Sequence, residues 1–488
     1  MVKKFSFTLV VAIAALFIVL VIRAGSFKSR QLSPEPAESI AISRAAVEHL
    51  SQAIRLKTVS LKQPAANAAE FVALHALIER AFPRVHRELN KETVGEHSLL
   101  FTWHGKDRRL KPMMLMAHMD VVPVDPTTES SWHHAPFSGE IADGYIWGRG
   151  AMDDKGSVFA ILEAVESLLT RNFRPERTIY LAFGHDEEIG GINGAAKIVA
   201  LLGARHVQLE SILDEGLNVF TGVISGLDLP AALVGIAEKG YLSLQLSVES
   251  DGGHSSMPPE HTAIGTLIGT LQKLQSAPFP AGLGRPTREM FEFLGPEMSF
   301  DKKLVLANLW LFSPLLEKTL ARSPRTNALL RTTLAPTMLK AGITDNVLPS
   351  KASAVVNLRI MPGESTARAT QYVRQVIADP KVSILPLSVQ WEPSAVSNVD
   401  AASFAILQKT IRQTIPTAVV APALLVASTD SRHYRSLTKN IFRFLPLTVG
   451  PEDISRYHGI DERISVQDYE RCIRFYAQLI INSNAAIR

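Results

Sequence analysis

Three short apolar runs in this chain each lead into a side chain that can bind a metal ion. Residues 113–117 end in His118, residues 179–183 run towards Glu187 and Glu188, and Ile212 with Leu213 leads directly into Asp214. A strand buried on both faces reads as such an uninterrupted run, and open α/β sheets bind ligands beyond the carboxyl ends of those strands. The runs therefore predict three strands that bring imidazole and carboxylates to one edge of one sheet. A fourth candidate, Asp153, sits on a turn flanked by Gly148, Gly150 and Gly156. Residues 155–169 after it carry Val158, Ile161, Leu162, Val165, Leu168 and Leu169 at helical spacing, so a helix start aims this carboxylate.

Composition limits what can complete such a site. The only cysteine, Cys472, excludes an internal disulfide and every multi-cysteine zinc motif, so a metal must sit on histidines and carboxylates. Net charge is +4, with Lys and Arg scattered rather than interleaved with aromatics, which argues against a nucleic-acid surface. There is no GxSxG elbow and no HExxH helix, so two competing hydrolase designs lack their parts. A length of 488 residues exceeds what one core organises and predicts about two domains.

The amino terminus carries a separate signal. Residues 5–22 hold no charge and only Ser6 and Thr8 as polar interruptions, a run long enough to span a bilayer. Val21, Ile22 and Arg23 close it without the small residues of a cleavage site, which favours an uncleaved single-pass anchor over a signal peptide. Lys3 and Lys4 predict a cytoplasmic amino terminus and a folded body on the other side, against the opposing pull of Arg23, Lys28 and Arg30. Residues 33–37 read as an extended tether.

Beyond residue 40, strand and helix patterns alternate to about residue 234, the mark of a mostly parallel sheet covered by helices. Residues 241–249 and 354–360 instead alternate with period two, which predicts a second sheet with one wet face. The α/β pattern resumes after Pro362 and Gly363, with a helix near 365–377 and a buried run at 441–447. The expected organisation is a membrane anchor at 1–30, a linker at 31–39, a catalytic α/β domain formed by 40–236 and 364–488, and an inserted α+β lid at 237–363.

The segments HMDVVPV, WHHAPFSGEIADGYIWGRGAMDDKG, DEEIGG, LDEG, GGHSSMPP, DNVLPSKASAVVNLR, STDSRHY and YHGIDERISV occur in that order. Together they resemble the zinc aminoacylase and carboxypeptidase family of co-catalytic metallopeptidases, and within it the carboxypeptidase S branch. The resemblance covers the chain from about residue 40 to its end. His86 and Glu88 form a further His, any residue, acid pattern outside these segments and are read as a chance match.

The resemblance implies two zinc ions, with cobalt or manganese as substitutes, on His118, Asp153, Glu188, Asp214 and His458. Asp153 would bridge them and be followed by a cis peptide, Asp154 would cap the helix, and Glu215 is the alternative to Asp214. Asp120, on the same side of an extended chain as His118, is placed to accept its second ring N–H and fix the tautomer. Glu187 and Glu188 would face opposite ways on an extended chain; the resemblance makes Glu187 the general base, while His185 and Asp186 read as residues that support the site or lie on the surface. It also implies that Arg432 grips a free carboxylate, that Asn346 and Arg359 add substrate contacts, and that His254 stabilises an oxyanion, from the same subunit or a lid-paired homodimer.

The expected reaction is hydrolysis of an amide in peptides or N-acyl amino acids with a free α-carboxylate. Two alternatives accompany it. One is hydrolysis or synthesis of N-fatty-acyl amino acids, for which residues 304–312 offer an acyl pocket or, more simply, lid core. The other is a membrane-tethered binding protein without catalysis, against which every expected ligand and the base are present.

Overall fold

The computed structural model describes residues 2–61 and 67–484, the side chains of residues 2–6 excepted, so those of Lys3 and Lys4 lie outside the described residues. An eight-stranded sheet runs through the larger layer in the spatial order Asn90–Val94, Ser98–Trp103, Ile179–Gly184, Met113–His118, Ser211–Phe220, Ile441–Val449, Ala231–Glu238 and Val419–Leu425. The apolar runs explain its centre: every residue of Met113–His118 and of Ile179–Gly184 is buried. These two strands are parallel to each other, and Ser211–Phe220 is parallel to Met113–His118 and to Ile441–Val449, so the region that supplies the candidate ligands is a parallel sheet. The outer pairings include antiparallel ones, which makes the whole sheet mixed rather than mostly parallel.

A second sheet has the order Thr333–Ala341, Lys351–Ile360, Gly240–Glu249 and Val382–Trp391, with all three pairings antiparallel. Burial alternates strictly along Lys351–Ile360, as its period-two sequence requires. The covered face packs on helices Ala263–Ser276 and Thr366–Ile377 in a core separate from that of the large sheet.

The lid is therefore larger at one boundary than expected and smaller inside. It does not end at 363: helix Thr366–Ile377 packs Ala369, Val373 and Ile377 into the lid core, and Val382–Trp391 is its edge strand. A helix followed by a strand looks the same in sequence whichever sheet receives it. Conversely, helix Arg285–Leu294 lies within the inserted stretch yet sends Met290, Phe293 and Leu294 into the core of the large sheet beside Val419 and Val420.

Residues 304–312 are not lid core either. Only Leu306 and Asn308 of that stretch are buried, and helix Leu309–Leu320 has no buried residue. The amino-terminal helix Val2–Gly25 includes a stretch, Phe7–Gly25, long and apolar enough to cross a membrane.

Candidate metal centre

His118 is the last residue of its strand and is 2% exposed. Its Nε2 lies 2.9 Å from Asp153 Oδ1 and 3.5 Å from Glu215 Oε1. The other oxygen of Asp153, Oδ2, is 3.1 Å from His458 Nε2, which is itself 3.3 Å from Glu188 Oε2. One carboxylate thus sits between two imidazoles, and each imidazole has a second carboxylate of its own.

Each group arrives by a different device. Asp153 stands on the glycine turn before helix Lys155–Thr170, and its peptide to Asp154 is cis. Glu462 fixes that turn: its Oε1 accepts from the backbone N–H groups of Gly150, Met152 and Asp153 at 2.9, 2.9 and 3.1 Å. Its Oε2 pairs with Arg149 at 2.6 Å, and Arg149 also donates to the carbonyls of His458 and Gly459. The same buried pair therefore holds the bridging carboxylate and the distant histidine loop together. Sequence reasoning missed both residues, although each lies inside a quoted segment.

Glu187 and Glu188 are not on an extended chain but in a short 3-10 turn, Glu187–Ile189. The turn is anchored by Asp120, whose two carboxylate oxygens accept from Glu187 N at 3.2 Å and Glu188 N at 3.1 Å, with the hydroxyl of Ser60 as a further donor. His118 Nδ1 is closer to the Asp120 carbonyl, 3.0 Å, than to its carboxylate, 3.4 Å. Asp120 thus orients both the histidine and the two glutamates. The glutamates still separate, Glu188 towards His458 and Glu187 towards Arg432, 3.8 Å away.

Asp214 does not join the cluster. Its Oδ2 accepts from Ser431 N at 3.0 Å, and the neighbouring Glu215 takes the place beside His118. The reason is a bulge: Arg443 pairs with Asp214 and Phe444 with Leu217, so Glu215 and Gly216, whose φ is 146°, are skipped in the ladder. Bulges re-aim side chains in this way beside functional sites.

Asp154 makes no side-chain cap to its helix and instead belongs to the cluster, with a carboxylate oxygen within 4.8 Å of ligand atoms of His118 and Glu215. His185 and Asp186 have structural partners, Ser98 Oγ at 2.7 Å and Asn193 N at 2.7 Å. His86 Nδ1 bonds the carbonyl of Phe82, the residue that precedes its helix Pro83–Glu88.

The cluster's electrostatics call for a cation. Burial pushes the Glu187 carboxyl well above the usual range despite His118, and the Asp430, Glu188 and Asp120 carboxylates add to it. Burial does the same to Glu215, with Asp153 adding and His118 opposing. Burial also works to raise Asp153, yet hydrogen bonds to His118 and His458 carry its carboxyl well below the usual range. Bonds to Asp153 and Glu188 push His458 up to about 10. Glu188 Oε1 is buried with no hydrogen-bond partner among the described residues. Buried carboxylates this close are stabilised by positive charge, which the imidazoles supply as protons or a divalent ion supplies in their place.

The substrate-side candidates fall into two groups. His254 and Asn346 share the exposed tip of the lid, where Gly253–His254 pairs with Val347–Leu348 and Ser255 N donates to the Asn346 carbonyl. Among the described residues no contact joins them to the carboxylates. Arg359 and Arg432 instead cap the two ends of a stacked row: the Arg359 guanidinium lies 4.8 Å from the Tyr241 ring centroid, Tyr241 stacks on Trp391 at 4.6 Å, and Arg432 lies 4.7 Å from the Trp391 centroid. Arg359, Tyr241 and Trp391 are cross-strand neighbours in the lid sheet. Arg432 belongs to the large domain, where it donates to the carbonyls of Thr429 and Gly190. Its loop is held by Glu238, which accepts from Thr429 N and pairs with the buried Arg443 at 3.1 Å. No sequence signal marked Tyr241, Trp391, Glu238 or Arg443.

The model of the peptidase family M20/M25/M40 matches residues 114–482. A probable carboxypeptidase S-like protein of Dictyostelium discoideum is 43% identical over 480 residues, which cover 96% of this chain and 92% of that protein. An N-fatty-acyl-amino acid synthase/hydrolase of Xenopus tropicalis is 44% identical over 442 residues, covering 90% of this chain and 86% of that protein. Among solved structures, a metallo-carboxypeptidase of Sulfolobus solfataricus superposes with a TM-score of 0.66 at 18% identity over 91% of this chain and all of the other, a likeness of fold.

Proposed function

This chain belongs to the peptidase family M20/M25/M40 and is an amide hydrolase of the metallopeptidase class, and from that premise we propose that it cleaves peptides or N-acyl amino acids bearing a free α-carboxylate. The supporting observation is Asp153, with one oxygen on His118 and the other on His458, as a carboxylate shared by two ions would be. His118 with Glu215 would hold one ion and His458 with Glu188 the other, a donor mixture that suits zinc, with cobalt or manganese as substitutes. When bound, such ions polarise the scissile carbonyl and acidify a water.

The protein's own groups do the rest. Glu187, buried beside the cluster, takes a proton onto its carboxylate as water attacks and delivers it to the departing nitrogen. Arg432, its guanidinium held by two carbonyls and the Trp391 face, presents remaining donors to the substrate carboxylate. His254 and Asn346 reach the reacting carbonyl when the lid closes or when a second copy pairs through the lid. The apolar helix Val2–Gly25 anchors the enzyme in a membrane.

A second reading, N-fatty-acyl amino acids as the main substrate, is favoured by the 44% identity to the Xenopus tropicalis protein. The two are separated by comparing kcat/KM of the zinc-loaded full chain on a short dipeptide and on a long-chain N-acyl amino acid. Preference for the dipeptide sinks the second reading. Hydrolysis of neither, by protein holding two ions, sinks both.

A further inference from the structure

We propose that helix Leu309–Leu320, with Phe300 before it, is a second membrane contact: an apolar platform that lies on the same bilayer the amino-terminal helix crosses. The inference rests on reading that helix as a membrane span and goes beyond it.

The helix is apolar and only partly covered. Seven of its twelve residues are Leu, Trp or Phe, yet none is buried. Trp310 is 58% exposed, Leu315 61% and, on the preceding helix, Phe300 59%. The Trp310 indole N–H is already satisfied by Asn308 Oδ1 at 3.2 Å. The remaining side chains of the helix are at best half-buried, so much of its apolar surface is left to water in the folded monomer and further cover must come from outside it.

What identifies the cover as lipid is the fixed junction with the amino-terminal helix. Phe7 to Val19 are exposed along most of that helix, but its last turns are docked, with Leu20 and Ala24 buried. Asn308, at the start of the platform helix and itself 0% exposed, donates to the Leu20 carbonyl at 3.1 Å, and Arg23 donates to the Ala307 carbonyl at 3.4 Å. Phe27 fits against Gly295 so closely that a Cβ there would meet its ring at 2.5 Å.

The residues that lead into the expected extended tether, and the tether itself at Glu35, are also held to the body. The Arg30 guanidinium lies 4.3 Å from the Phe293 centroid and pairs with Glu292 and Asp400. Gln31 exchanges two amide hydrogen bonds with Val420, on the edge strand of the large sheet, at 2.9 and 2.8 Å. Gln408, Arg412 and Gln413 donate to the carbonyls of Arg30, Leu32 and Glu35. A helix that leaves the bilayer at residue 25 and is fixed to the body at once must bring the residues it touches to the bilayer surface. Those residues are the platform.

Charge around the platform agrees. Lys302, Lys318, Arg322 and Arg325 are exposed on and beside the two helices, against Asp301 and Glu317. Apolar side chains flanked by cations are the composition of helices that lie in the interface of anionic membranes.

The test uses the full chain in phosphatidylcholine–phosphatidylglycerol vesicles. Leu315→Cys, Val11→Cys and Val72→Cys variants each carry a polarity-sensitive fluorophore, with buried Cys472 unreactive under native conditions. Val72 is a water control: it is exposed, and its helix packs by Phe71 against His97 between Asn90–Val94 and Ser98–Trp103, at the sheet edge opposite Val420. The expected result is a blue-shifted label at 315, quenched by brominated acyl chains like that at 11, and a water-exposed label at 72. A label at 315 as wet as that at 72, while the label at 11 is lipid-quenched, overturns the platform and leaves the span standing. A label at 315 shielded but unquenched by lipid also overturns it and points to a second copy as the cover. Wet labels at both 11 and 315 overturn span and platform together.

Discussion

The edge of the large sheet and the tip of the lid were expected to supply the two halves of one site, and they are built in opposite ways. At the sheet edge, His118, Asp153, Glu188, Glu215 and His458 come from five separate places in the chain and meet within 3.5 Å of one another through a chain of contacts. At the lid tip, His254 and Asn346 are exposed and bond to their own neighbours. The first group is fixed by strands packed on both faces and by buried carboxylates that hold its turns. The second is carried by a two-residue ribbon on a domain with its own core, so its distance from the carboxylates is a matter of domain position. Metal binding should thus tolerate changes in the lid, whereas turnover should not.

The contrast is broken most severely at the sheet edge itself. His118→Ala is expected to lose metal and abolish activity, while Glu187→Gln keeps two ions per chain and loses kcat by ~10²–10⁴-fold, the range for a general acid–base group. Metal analysis beside kcat measures both. If the Glu187 variant also loses metal, the division of labour between the two glutamates is wrong.

Glu215→Gln against Asp214→Asn comes next. The first should lower metal content; the second should retain it, because an amide oxygen can still accept from Ser431 N. The reverse result would mean that the bulge does not decide the ligand.

Across the domain boundary, Trp391→Leu removes the face between Tyr241 and Arg432. A cation–π contact of ~0.5–2 kcal/mol corresponds to a KM increase of about 2- to 30-fold, with kcat and metal content little changed. An equal fall in metal content would show that the row is part of the metal scaffold.

The smallest effect is one of pH. In metal-free protein, burial raises the carboxyls of Glu187 and Glu215, and that of Glu462 to about 7. The folded state then binds protons that the unfolded chain releases above the ordinary carboxylate range, so its stability falls as pH rises from there through the folded values. A bound divalent ion would take the place of the proton on Glu215 and, by its charge, disfavour those on the neighbouring carboxyls. The Tm difference between loaded and stripped protein should therefore widen from pH 5 to pH 8, by thermal melts across that range; a constant difference would separate metal binding from these carboxyls.

How much was legible follows from where each residue sits. His118, Glu187 and Glu188 were readable because a buried strand leaves a continuous apolar run and the residues that end it lie at the sheet's ligand edge. Asp153 was readable from glycines and a helix start. Glu215 was not preferred because a bulge is a property of two strands, and Ser211–Phe220 shows it only against Ile441–Val449. Glu462 was not singled out because its carboxylate acts on backbone N–H groups more than 300 residues away, which no side-chain pattern records. Trp391 was missed because it acquires meaning only as a cross-strand neighbour of Tyr241 facing an arginine of the other domain.

By itself, then, the sequence determined where the candidate groups stand: apolar periodicity placed imidazole and carboxylates at strand ends, and a single cysteine left no cysteine cluster to compete with them. Tertiary structure alone decided which of two adjacent acids faces His118, which sheet receives the stretch 366–391, and how the amino-terminal helix is held to the body. Periodicity is local and depends on which residues are apolar. Register, domain assignment and docking depend on what lies on the other side of the contact, and that partner is far away in the chain.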